Sequence, residues 1–190
     1  MERYAFDPEK VDSLFAFRDF SQAEDLILEA LYENPDDLQA ITYAGILYTE
    51  TGRFEEARKA LEYVLARDPR NPDAWEAQGV IHFRRGQIYE AKNAFIAALK
   101  SFPRMASAFR NLGVLYRHVG DQKKSITCLQ LARGYNPTDY LTLYALSFGL
   151  IEEQRNAEAR EVLTLMMDQP LPPDILEYAQ TQLAKLEESR

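Results

Sequence analysis

The chain has 190 residues, 46% of them hydrophobic, and a formal net charge of −8. That much apolar material supports a packed core and excludes a disordered chain, and the acidic balance argues against general nucleic-acid or anionic-membrane binding, both of which need cationic surface. No apolar run approaches the roughly 18–20 residues of a membrane span, the opening MERYAFDPEK lacks a signal-peptide core, and the lone Cys128 excludes an internal disulfide framework; these features favour the cytoplasm.

The charge is uneven: −8 over residues 1–37, zero over 38–71, +5 over 72–139 and −5 over 140–190. The basic middle suits an acidic segment of a partner, or is an ordinary set of solvated helix faces. A period of 34 residues runs through the same chain. It relates Pro35, Pro69, Pro103 and Pro137, then Gly45, Gly79 and Gly113, then Gly52, Gly86 and Gly120. Ala23, Ala57, Ala91, Ser125 and Ala159 keep it across five copies. A fixed period of this size means a stacked array of one supersecondary unit. The units fall at about 4–37, 38–71, 72–105, 106–139 and 140–173, with a remainder at 174–189.

Taken in chain order, each unit splits into a first (A) and a second (B) amphipathic helix. In the first unit Asp7-Pro8 reads as a helix start, with Asp as N-cap and Pro at the first helical position. Val11, Leu14 and Phe15 form its apolar face, and Ser21-Gln22-Ala23-Glu24 reads as a capping box for the B helix. In the second unit the 3.6-residue spacing predicts helix A over Leu38–Thr51 and helix B over Phe54–Arg67, with Gly52 closing A and Pro69 ending B. The third unit carries Trp75, Gly79, Gly86, Ala91, Phe95, Ala98 and Pro103, and the fourth carries Phe109, Leu112, Gly113, Tyr116, Leu129, Ala132 and Pro137. Gly79 is expected to face Ala91 and Ala98, because two helices approach closely only where side chains are small. The fifth unit departs from the pattern, with Ser147 for glycine, Gln154 at the turn and Leu171 for the closing proline. From Asp174 a last helix offers Ile175, Leu176, Ala179, Leu183 and Leu186 inward and Glu177, Gln180, Lys185 and Glu187 to water, as a covering helix for the end of a stack should.

These residues resemble the tetratricopeptide repeat (TPR) family, whose pattern is an aromatic, Leu-Gly and Tyr in helix A, then Ala, an aromatic, Ala and Pro in helix B. The resemblance implies an all-α fold: a right-handed α-solenoid of about five TPR hairpins plus a C-terminal capping helix, forming one domain over residues 1–190. In that family the A helices line a groove that receives a peptide or helix of another protein. The family's groove positions, carried over by register, give three rows: Ile46, Val80, Val114 and Phe148; Thr49, Phe83, Arg117 and Ile151; Thr42, Glu76, Arg110 and Tyr144. Glu50, Arg84, His118 and Glu152 would lie at the rim. The peptide-binding set so implied is Thr42, Ile46, Thr49, Glu76, Val80, Phe83, Arg84, Arg110, Val114, Arg117, Tyr144 and Phe148. Arg110 and Arg117 lie two turns apart on one helix face and, with Arg84, suit a carboxylate or acidic side chain. The alternative reading makes Val80 and Val114 packing between A helices, and Arg84 and Arg117 solvated charges.

One subclass of the family clamps the C-terminal carboxylate of heat-shock chaperones with Lys/Asn, Asn and Lys/Arg on successive A helices. Asn111 suits the middle position, but Glu76 and Val80 stand where Lys and Asn belong, and Leu141 and Ala145 where Lys and Arg belong. That clamp is not expected. Nor does the sequence point to catalysis, a cofactor or a metal. His82 and His118 have no Cys, Asp or Glu at zinc-motif spacing, and Cys128 reads as an inert helix thiol. The reading is a non-catalytic protein-interaction scaffold or adaptor, with a TPR-type chaperone or assembly factor for a secreted or complex-forming partner as the alternative. Self-association through an end repeat or the convex face is left open.

Overall fold

The structure is a computed structural model, and it describes residues 6–188. Residues 1–5, where the expected first unit begins, and residue 189 of the expected last helix lie outside the described residues. Among the described residues there are eleven α-helices and no strand. They are α1 (Pro8–Ala16), α2 (Phe20–Glu33), α3 (Leu38–Glu50), α4 (Phe54–Arg67), α5 (Pro72–Arg84), α6 (Ile88–Ser101), α7 (Ala106–His118), α8 (Gln122–Tyr135), α9 (Tyr140–Glu152), α10 (Asn156–Met167) and α11 (Pro173–Glu188). No helix among them is long and apolar enough to cross a membrane. The odd-numbered helices α1–α9 are the expected A helices and the even-numbered α2–α10 the B helices.

The helix starts follow from side-chain oxygens. Asp7 accepts from the Lys10 amide at 3.2 Å, Asp37 from Gln39 and Ala40 at 2.9 and 3.1 Å, and Asn71 from Ala74 at 2.9 Å. Each satisfies an amide that the helix itself leaves unbonded. The second helix corrects the sequence reading. Its cap is Asp19, which accepts from the Gln22 amide at 3.2 Å, and Ser21 already lies inside the helix. Glu24 is drawn instead to Arg53, 2.7 Å away.

The turns from A to B share one geometry. The amide of Arg53 donates to Tyr48 O at 2.7 Å and that of Gly52 to Thr49 O at 3.3 Å. This is the Schellman arrangement, which needs a left-handed residue just past the helix. Gly52 supplies it with φ 78°. Arg18 and Gln154 hold the same place in the first and fifth hairpins with φ 57°, although neither is glycine.

The helices group into two compact units, Met1–Phe102 and Pro103–Arg190. In the first, α2 packs on α1 and α3, α4 on α3 and α5, and α6 on α5, and α3 lies against α5. Its apolar interior has two parts: Val11, Ala23, Ile27, Ala44 and Leu47, and then Ala57, Leu61, Val64, Ala74, Ala77 and Ile81. The α5–α6 seam corrects the expected pairing of small residues. Gly79 lies under the ring of Phe95, where a Cβ would clash with the ring, and Ala91 and Ala98 of α6 are fully buried. The glycine therefore makes room for a large side chain rather than for a second small one.

In the second unit, Ile126, Leu129, Leu143, Leu146, Leu150, Ala159, Val162, Leu163 and Met166 form a core closed by Ala179 and Leu186 of α11. Tyr178 of α11 falls 34 residues after Tyr144, so α11 stands in the register of a sixth A helix. Glu177, Gln180, Thr181 and Ala184, the positions that would meet a B helix, leave that side of α11 largely to solvent, with Glu177, Gln180 and Thr181 exposed. Arg160 of α10 fixes its far end by donating to Leu186 O at 3.0 Å.

Candidate functional site: the A-helix faces

In the first unit the candidate residues divide by burial. Thr42 and Thr49 are only 3% and 2% exposed, and their hydroxyls donate within α3, to Leu38 O at 2.7 Å and Gly45 O at 2.8 Å. Thr49 is thus covered by the packing, whereas Thr42, although nearly buried, still borders an open cavity. Ile46, Glu76, Val80 and Phe83 are half-buried. Arg84 is exposed, but its guanidinium is engaged with Glu50 Oε2 at 3.0 Å and Thr49 O at 2.5 Å on the neighbouring A helix.

The same division holds in the second unit. Val114 is 38% exposed on α7. Arg117 lies with its guanidinium 4.6 Å over the Phe148 ring and pairs with Glu152 at 2.8 Å. Arg110 pairs with Asp139 at 2.6 Å, and both side chains are largely covered. Asp139 is also the N-cap of α9, accepting from the Leu141 amide at 3.3 Å and the Thr142 hydroxyl at 2.5 Å. Arg110 thus secures the start of the next hairpin. All three candidate arginines have carboxylate partners within their own unit, a change from the free cationic cluster that the spacing suggests. The more exposed pairs of Arg84 and Arg117 contribute only about 0–1 kcal/mol, so an incoming group can exchange with them at low cost.

Tyr144 and Phe148 form an aromatic cluster with Tyr178, at ring separations of 4.8, 4.9 and 4.7 Å. The Tyr178 hydroxyl meets Ser147 Oγ at 3.2 Å, and burial raises that phenol's pKa above its usual range. Sequence reasoning missed Tyr178, although the 34-residue step from Tyr144 points to it.

A second feature the sequence did not suggest lies in the first unit. Tyr43 donates to Asp12 Oδ1 at 3.0 Å, tying α3 to α1. Beside it an open cavity of about 330 Å³ is lined by Leu38, Gln39, Thr42, Tyr43, Asn71 and Asp73. Asp73 keeps solvent access, yet the protein wrapped around it, and then the charge on Asp12, raise its carboxyl above the usual range. On α8, burial and then Asp121 raise the half-buried Cys128 thiol, which keeps it protonated and unreactive.

Comparison with known proteins agrees with this geometry. The family model described as tetratricopeptide repeat matches residues 9–57, 44–91 and 85–139. No sequence among the curated proteins matches the chain. Among solved structures, TTC0263, a thermophilic TPR protein of Thermus thermophilus, superposes with a TM-score of 0.79 at 21% identity, over 93% of this chain and 96% of that one. Pseudomonas aeruginosa pilF gives 0.69 at 15% identity, over 94% and 86%. A chain of the APC/C hetero-tetramer Cut9–Hcn1 gives 0.75 at 18% identity, over 93% of this chain and 35% of that one. At these identities the likeness is one of fold.

Proposed function

The chain belongs to the tetratricopeptide repeat family, whose helical hairpins serve in general as protein-interaction scaffolds, and from that premise we propose that it is a non-catalytic scaffold or adaptor that binds a peptide or helix of a partner protein on its A-helix faces. The observation that carries this reading is the half-covered apolar row on those faces: Ile46 and Val80 in the first unit, and Val114 and Phe148 in the second. Solenoids of paired helices turn that side toward their ligands. A cytoplasmic setting belongs to the same proposal, and so does the treatment of the hairpins as one binding domain. The Cut9–Hcn1 neighbour is a component of a hetero-tetramer, which supports the class of activity.

The test is capture of partners by the tagged chain from its own cells, identification of what co-elutes, and repetition with Phe83→Ala and Val114→Asp. Loss of the same partner in at least one variant, at unchanged helical melting, is the expected result. Full capture by both variants moves the site off the A-helix faces. A chaperone role would show as a partner that is stable only in the complex.

A further inference from the structure

The spacing of Arg84, Arg110 and Arg117 suggests that this protein receives anions, but those guanidiniums are occupied by Glu50, Asp139 and Glu152. The charge left without a counter-ion on the A-helix face of the first unit is negative. Among the described residues, neither Asp12 nor Asp73 makes an ion pair. The two are near enough that the charge on Asp12 acts on Asp73. Tyr43 holds the Asp12 carboxylate at 3.0 Å, and the cavity opens between that tyrosine and Asp73. A plain helix-terminus role for Asp73, in the first turn of α5, would lower its carboxyl pKa. Burial and then the like charge on Asp12 push it the other way.

We propose that the cavity between α3 and the start of α5, lined by Asp73 and by the Tyr43 that holds Asp12, takes a lysine or arginine side chain from an extended segment of the partner. This rests on the scaffold reading above and names the chemistry of the partner that fits it. The walls suit such a guest. Leu38 and the Tyr43 ring offer apolar surface to the methylene stem. The Gln39 amide lies on the cavity wall, and the two carboxylates supply the countercharge. A cation seated there relieves the repulsion between Asp12 and Asp73, so part of the binding energy comes from charge already stored in the free protein.

The probe set is three nonapeptides of Gly, Ser and Leu, capped at both ends, that differ only in carrying two lysines, two glutamines or two glutamates. Each is titrated into the full chain labelled with ¹⁵N. The lysine peptide should bind at least ~10-fold tighter than the glutamine peptide and shift amides around Thr42, Tyr43 and Asp73, with the preference shrinking between about 0.05 and 0.2 M salt as screening grows. Asp12→Asn combined with Asp73→Asn should reduce the lysine peptide to the glutamine level at an unchanged or higher melting temperature. Val114→Asp, in the other unit, should leave the preference intact. Equal binding of the lysine and glutamine peptides, absence of lysine-peptide binding, or a preference that survives the double variant overturns the cation site. Equal binding of all three peptides sinks this inference alone, because the partner-capture experiment then still decides the scaffold reading.

Discussion

Ser125 occupies the position filled by Ala23, Ala57, Ala91 and Ala159 in the other copies. It is fully buried, and its hydroxyl has no hydrogen-bond partner among the described residues. An unsatisfied buried hydroxyl costs about 1–3 kcal/mol. Ser125→Ala should therefore stabilise the protein by about 1 kcal/mol, which calorimetry would read as a rise in Tm of ~2–4 °C for a chain of this size. Asp73 makes a second prediction at this scale. Its folded carboxyl titrates above the usual value because of burial and then Asp12. In the window between the unfolded and folded values the native state binds more protons, so stability falls as pH rises through it. Asp73→Asn removes that loss. The variant should melt above the parent at pH 7, and the gap should close below about pH 3.5, where the parent carboxyl is protonated in both states. A gap that persists in acid would assign the effect to packing instead.

At the scale of the element, the left-handed turns divide into those with glycine and those without. Gln154 has φ 57° because the amides of Gln154 and Arg155 donate to Ile151 O at 3.0 Å and Leu150 O at 2.8 Å, the same closure that Gly52 makes without strain. A residue with a side chain costs roughly 1–2 kcal/mol in that conformation. Gln154→Gly should therefore raise the denaturation midpoint by a fraction of that amount, since glycine also loosens the unfolded chain. No gain in urea unfolding would mean that the Gln154 side chain already offsets the strain. The helix spans were legible at this scale: α4 runs over the expected Phe54–Arg67, and the expected end of α3 at Thr51 is its C-cap. The start of α2 was not, because Ser21 and Asp19 both precede an apolar run and only the bond to Gln22 separates them. Met105 shows the opposite trade, since it stands where Asp37, Asn71 and Asp139 cap their helices but is buried to 7% exposure.

At the scale of the molecule, the net charge of −8 says little about where charge is available. The basic stretch 72–139 holds Arg84, Arg110 and Arg117, and each is matched by a carboxylate 29–35 residues away. Pairs at that separation join neighbouring hairpins, so much of the positive charge is committed to stacking. The same spacing explains why α11 ends a stack cleanly, since its exposed positions carry Glu177, Gln180 and Thr181 where earlier A helices carry packing residues. The capture experiment belongs here, because it asks whether the apolar rows that stacking leaves half-covered recruit another chain.

The 34-residue step, the alternation of helix and turn and the places where small residues must stand were all readable from the sequence, because each depends on local conformational preference repeated in phase. Only the tertiary structure decided which of those residues are available to a partner. It buried Thr42 and Thr49, set Gly79 beneath Phe95, paired the three arginines and left Asp12 and Asp73 without counter-ions among the described residues, near an open cavity. Those outcomes depend on which side chains from successive hairpins meet, and a repeating pattern records that a position recurs without recording what each copy of it touches.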